Sequence, residues 1–302
     1  MSADVVIEVT ALRKRYGGHE AVKGINLHVN RGEVFAFLGP NGAGKTTSVE
    51  IFEGYRERDD GDVRVLGVDP ASADLAWRAR IGVVLQETRP EPALTVRESI
   101  AQYAGFYADP RPVEQVIELV GLEESADVRA GKLSGGQQRR LDVALGIVGR
   151  PEVLFLDEPT TGFDPAARRE AWAMLEGLKH EGLTIFLTTH YLEEAEALAD
   201  RVAVIAGGQI VAEGTPANLG GRDAADSEIG FRLGETRRKL PASLAGRVTV
   251  EPHGRHTFRS PDAADDLAIL LDWARDARVS VFDIEVSRPS LEDVYLQLAG
   301  EK

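Results

Sequence analysis

The run Gly39-Pro40-Asn41-Gly42-Ala43-Gly44-Lys45-Thr46-Thr47, directly after the apolar stretch 34–38, constrains this chain more than any other segment. It fits G-x-x-x-x-G-K-[ST] at every fixed position. A strand feeding a glycine loop that opens a helix turns backbone N–H groups inward around an anion, at the positive end of the helix. Gly39, Asn41, Gly42 and Gly44 are therefore expected to wrap phosphates. Lys45 is expected to supply a cation to the β- and γ-phosphates of a nucleotide, Thr46 a hydroxyl suited to Mg²⁺, and Thr47 a further nucleotide contact.

The hydrophobic pattern predicts the frame that holds this loop. Residues 5–10, 25–30 and 62–66 alternate apolar with polar side chains, as half-exposed antiparallel strands do. Residues 34–38, 81–85, 153–156, 184–187 and 202–205 are continuous apolar runs, the mark of strands covered on both faces of a mainly parallel sheet. Between 95 and 149 the period becomes helical, with Val96, Ile100, Tyr103 and Ala104 on one face and Val116, Leu119 and Val120 on another, which predicts an inserted helical subdomain over about 88–150.

The texture changes at the small, polar stretch 220–227, read as a linker. Beyond it the expected order is a strand (228–233), a helix (235–244), two strands (248–251, 256–259), a helix (262–277) and a strand (279–286). That is the order of a split βαβ, ferredoxin-like unit. A last helix is expected to carry Leu291, Val294, Tyr295 and Leu298 as one apolar stripe. Two domains follow, 1–220 and 221–302.

The apolar run 153–156 ends in Asp157-Glu158. Strand ends often carry solvated acids, but downstream of a phosphate loop the first acid is placed to hold the Mg²⁺ shell. The second, Glu158, is placed to take a proton from an attacking water.

Leu133-Ser134-Gly135-Gly136-Gln137 resembles the signature sequence of the ABC ATPases, and the resemblance extends over roughly residues 7–219. It implies an α/β P-loop NTPase fold with an added antiparallel β layer and a helical subdomain. It also implies ATP and Mg²⁺ as ligands and ATP hydrolysis as the activity. By the same resemblance Tyr16 is the aromatic that stacks on adenine, and Gln86 the glutamine that reaches Mg²⁺ or the water. Asp164 is the D-loop aspartate and His190 the switch histidine on the γ-phosphate. Ser134, Gly135, Gly136 and Gln137 are then contacts to nucleotide held by the P-loop of a second chain, so that ATP drives a head-to-tail homodimer. One departure is Phe163 before Asp164, where leucine is usual; the apolar contact is kept.

The tail 289–298 and the small domain before it are similar to those of ATPases in the daunorubicin-resistance branch of bacterial exporters, which pair with a separate permease. The small domain is open to two readings, a cap that stabilises a dimer or a regulatory, ligand-sensing unit. The start of the chain lacks a basic segment followed by an apolar run, and no stretch approaches the roughly 20 apolar residues that span a bilayer. The expectation is a cytoplasmic protein, at the inner face of the plasma membrane only through its permease.

A soluble ATPase of the same family acting on nucleic acid or ribosomes is the alternative. Such proteins usually carry two P-loop domains, or a long coiled coil between P-loop and signature. This chain has one P-loop and about ninety residues from Lys45 to Leu133. Its net charge of −14 with no long basic run also disfavours nucleic acid. With no cysteine among 302 residues, thiolate metal sites and cysteine nucleophiles are excluded.

Overall fold

The structure, a computed structural model, describes residues 4–85, 90–221, 226–236, 238–251, 253–287 and 295. The chain divides into two compact units, Met1–Pro216 and Ala217–Lys302.

In the first unit, β1 (Val5–Tyr16), β2 (His19–Asn30) and β4 (Asp60–Val65) form an antiparallel sheet in the order β2-β1-β4. The first two strands run further than the alternation suggests, because bulges near Ala11, which has φ +51°, let pairing continue toward Tyr16. The second sheet contains β3 (Val34–Leu38), β5 (Ile81–Val84), β6 (Val153–Asp157), β7 (Thr184–Thr189) and β8 (Arg201–Ala206), all parallel, as their unbroken apolar sequences require. An antiparallel edge strand, β9 (Gln209–Gly214), completes the order β5-β6-β7-β3-β8-β9. The fold is α/β, of the P-loop NTPase type.

Two register pairs position the chemistry. Leu38 at the end of β3 lies opposite Thr189 at the end of β7, and Asp157 at the end of β6 lies opposite Thr188. The segments after β3, β6 and β7 therefore emerge side by side at the carboxyl edge of the sheet, where open α/β sheets bind ligands. Beneath that edge the Phe186 ring packs on those of Phe35, Phe37, Phe52 and Phe155 at centroid distances of 5.5, 5.9, 5.6 and 5.9 Å. Phe52 belongs to α1 (Lys45–Phe52), so this cluster fixes the phosphate-loop helix against three strands.

A short α2 (Leu75–Arg78) precedes β5. The inserted helices are α3 (Val96–Ala104), α4 (Val113–Leu119) and α5 (Gly135–Ile147). Val96, Ile100, Val116 and Val120 are buried as their spacing predicts. Tyr103 is not: at the open end of α3 it is 38% exposed and meets Phe106 edge-on. Helices α6 (Pro165–His180) and α7 (Leu192–Leu198) follow β6 and β7.

The second unit has β10 (Ser227–Leu233), α8 (Ala242–Ala245), β11 (Thr249–Val250), β12 (Arg255–Ser260), α9 (Ala263–Ala277) and β13 (Val281–Ser287). Its antiparallel sheet, in the order β11-β12-β10-β13, is the split βαβ arrangement, with Ile229, Phe231, Leu244, Phe258 and Leu270 in its own core. The first helix is much shorter than 235–244, because Pro241 disfavours a helical conformation in the residue before it and the helix starts only after it. Of the expected terminal stripe only Tyr295 lies within the described residues.

Candidate active site

The glycine loop takes the conformation its composition predicts. Gly42 and Gly44 have φ of +79° and +107°, and a Cβ on Gly44 would stand 2.5 Å from the Ala21 carbonyl oxygen. Lys45 opens α1 and is 5% exposed. Its Nζ donates to the carbonyls of Gly39 (2.7 Å) and Pro40 (3.3 Å), which folds the loop around the ammonium group. Burial lowers the Lys45 pKa from its ordinary value, and the charges of Glu158 and Asp157 partly oppose that shift.

Pro40, Asn41, Gly42, Gly44, Lys45, Thr46, Thr47 and Glu158 line one cavity of about 420 Å³. Gly39 is buried beneath it. Tyr16, at the end of β1 and 41% exposed, stands at its side with its hydroxyl 3.5 Å from Thr47 Oγ1. The Arg56 guanidinium lies 5.3 Å from the centre of the Tyr16 ring.

The two acids after β6 are fixed by one hydroxyl. Thr188 Oγ1 donates to Asp157 Oδ1 and accepts from the Glu158 N–H at 3.1 Å. Glu158 has φ +46°, an unusual value for a residue with a side chain. Its Oε1 lies 3.7 Å from Lys45 Nζ and 3.3 Å from His190 Nδ1, while Oε2 accepts from Thr161 Oγ1 at 3.1 Å. His190, after β7, rests on the Tyr191 ring with centroids 4.0 Å apart.

Ser134 caps α5 through a reciprocal capping box with Gln137. Gln137 Nε2 also donates to Ser125 Oγ at 3.0 Å, so its side chain is engaged within the chain. Asp164 caps α6 by accepting from the N–H groups of Ala166 and Ala167, both at 2.9 Å. Ser134, Gly135, Gly136, Gln137 and Asp164 line a separate cavity of about 740 Å³, which shares no lining residue with the P-loop cavity. Gln86 lies outside the described residues.

A Mg²⁺ ion fits the donor set at the P-loop, since the exposed Thr46 hydroxyl and the Asp157 carboxylate are hard oxygen ligands. Among the described residues no group of three His, Asp or Glu could hold a metal ion.

Sequence reasoning passed over Thr188 and Arg139. Arg139 is buried on α5, and its guanidinium donates to three backbone carbonyls around the acids, those of Leu85, Asp157 and Pro159. A carbonyl partner leaves no trace in side-chain spacing. The only signal was an arginine on the core-facing side of a helix.

A family model described as ABC transporter matches residues 22–161, and one described as ABC transporter domain-containing protein-like, C-terminal domain, matches 227–290. The chain is 39% identical over 307 residues to Nod factor export ATP-binding protein I of Rhizobium meliloti (strain 1021), covering 99% of this chain and 89% of the relative. It is 39% identical over 309 residues to daunorubicin resistance ATP-binding protein DrrA2 of Streptomyces coeruleorubidus, covering 98% and 95%. Among solved structures, cbiO1 from Clostridium perfringens, part of the ABC transporter complex cbiONQ, superposes with a TM-score of 0.66 at 30% identity, over 71% of this chain and 90% of that one. The dimeric structure of MJ0796, a bacterial ABC transporter cassette, gives 0.62 at 25% identity, over 69% and 98%.

Proposed function

This chain belongs to the ABC transporter ATP-binding family, and from that membership we propose that it is the ATPase subunit of an exporter whose membrane-spanning part is a separate permease. Among the described residues no helix is long and apolar enough to cross a membrane; placement at the inner membrane face through the permease is part of this reading. The relatives named for daunorubicin resistance and for Nod factor export favour export of a drug-like, antibiotic or lipid-like molecule. No observation favours action on nucleic acid or ribosomes.

The observation that carries the catalytic reading is the meeting of Lys45 and His190 on one oxygen of Glu158 at the P-loop cavity. ATP enters with its phosphates against the N–H groups of 39–47, and its γ-phosphate draws Lys45 and His190 away from the carboxylate. Freed of both, Glu158 accepts a proton from water as the water oxygen bonds to the γ-phosphorus and the bond to the β–γ bridging oxygen breaks, leaving ADP and phosphate. Lys45 and His190 offset the charge that develops on the transferred group. Thr46, Asp157 and Gln86 would hold a Mg²⁺ ion, which would supply further positive charge beside the phosphates. Tyr16 presents its ring to adenine.

The signature cavity and the P-loop cavity share no lining residue, which supports the reading that Ser134 to Gln137 and Asp164 act on nucleotide bound by a second copy. Both sites of the resulting homodimer are competent, since neither the signature nor the acids are degraded. Affinity capture of the full chain from membranes of its source tests the assignment. Recovery of a permease with Mg²⁺-dependent ATPase activity is the expected result. Stimulation by DNA or ribosomes with no permease recovered overturns it.

A further inference from the structure

Glu158 sits in a left-handed backbone conformation, φ +46°, which a side-chain-bearing residue keeps only where its surroundings impose it. On the N–H side the restraint is Thr188, whose carbonyl and hydroxyl oxygens accept from Glu158 N at 3.2 and 3.1 Å. A second restraint is Arg139. Its Nη2 donates to the Asp157 carbonyl at 2.8 Å and its Nε to the Pro159 carbonyl at 3.1 Å, so one guanidinium holds the carbonyls of the residues before and after the strained one. Its Nη1 donates to the Leu85 carbonyl, immediately before Gln86 in the sequence.

This use of an arginine is costly. The residue is 8% exposed, and the Asp142 carboxylate stands a distant 3.9 Å from its guanidinium. Burial lowers the pKa of Arg139, with Asp142, Asp157 and Glu194 opposing. An apolar residue would fill the space on α5 without that desolvation penalty. Only the planar fork of donors can span three carbonyls at once.

We propose that Arg139 is a positioning residue for hydrolysis. It holds the Glu158 backbone in the conformation that aims the carboxylate at the P-loop cavity, and ties that backbone and the strand end leading to Gln86 to the helix that begins at Ser134. Movement of α5 when Ser134 meets nucleotide on a second chain is thereby conveyed to this chain's own base. The proposal rests on Glu158 being that base.

The test uses the full chain with Mg²⁺ and ATP in four forms: wild type, Arg139→Lys, Arg139→Gln and Glu158→Gln, with the double variant Arg139→Gln/Glu158→Gln beside them. ATP affinity is read by titration, turnover by phosphate release, and fold by circular dichroism. Arg139→Lys keeps the charge but cannot reach both carbonyls flanking Glu158. It is expected to lower kcat by about tenfold to a hundredfold, the cost of a small misplacement of a catalytic group, while Kd for ATP changes by less than about twofold. Arg139→Gln is expected to lower kcat at least as far, yet to remove nothing further once Glu158 is Gln, because the two act as one unit. Wild-type kcat in the lysine variant, parallel losses of kcat and ATP affinity, additive effects in the double variant, or failure of both Arg139 variants to fold each overturns the proposal. Normal turnover in Glu158→Gln alone is a different failure, since it removes the base itself.

Discussion

Lys45 Nζ stands 3.7 Å from Glu158 Oε1, so the cation proposed to bind phosphate faces the carboxylate proposed to activate water. With 5% and 11% of the two side chains exposed, the pair is little screened by solvent. Under the proposed roles the γ-phosphate competes with Glu158 for Lys45. Glu158→Gln removes both the competitor and the base. Its kcat is expected to fall by about 10² to 10⁴, while ATP binds as tightly as in wild type or several times more tightly and the chain accumulates as an ATP-bound dimer. Phosphate release, nucleotide titration and size-exclusion chromatography read these three quantities. Weaker ATP binding would show that the pair assists the loop instead of competing with the ligand.

Two glycines of the loop, Gly42 and Gly44, separate conformational strain from steric clash. Both have positive φ, +79° at Gly42 and +107° at Gly44, but a Cβ at Gly42 meets nothing within 4 Å, whereas one at Gly44 comes within 2.5 Å of the Ala21 carbonyl. Gly42→Ala is expected to cost about 1 kcal/mol and Gly44→Ala about 2–4 kcal/mol in urea unfolding. Equal losses would show that the contact to β2 gives way and that backbone strain alone decides.

The parallel sheet and the glycine loop of the P-loop fold are legible because each rests on local sequence, such as the uninterrupted run of β3 or the fixed spacing of glycines before Lys45. What was not legible depends on partners far apart in the chain. Thr188 reads as one more residue of a buried strand, yet its hydroxyl orients both acids. Arg139 reads as a helical arginine beside Arg140, yet it bonds carbonyls 54, 18 and 20 residues away. The helix expected over 235–244 failed for a local reason that the sequence did contain, Pro241.

Deleting residues 224–302 is expected to leave ATP affinity within about twofold of wild type. Every residue lining the P-loop and signature cavities belongs to the first unit, and the second unit has a separate core around Phe231 and Phe258. Nucleotide titration of the truncated and full chains decides it. A large loss of affinity would mean that the second unit completes the nucleotide site.

Glu53, just after α1, should make stability depend on pH. Burial, reinforced by the charges of Asp157 and Glu50, pushes its pKa from 4.5 up to about 8. Glu53 and Asp142 line one cavity, and burial pushes Asp142 up to about 7 against the opposing charge of Arg139. An acid whose pKa is raised on folding keeps its proton in the folded chain over a range where the unfolded chain has lost it. Between about pH 4.5 and 8 the folded state therefore binds more protons, and the Glu53 contribution to stability falls as pH rises, with nothing further lost above 8. Glu53→Gln removes that penalty. The variant is expected to match wild type near pH 4.5 and to exceed it by a few kcal/mol at pH 8, an upper bound because relaxation and water entry soften such costs. Paired urea titrations at the two pH values test this. A difference between variant and wild type that is the same at both would show that Glu53 does not titrate in this range.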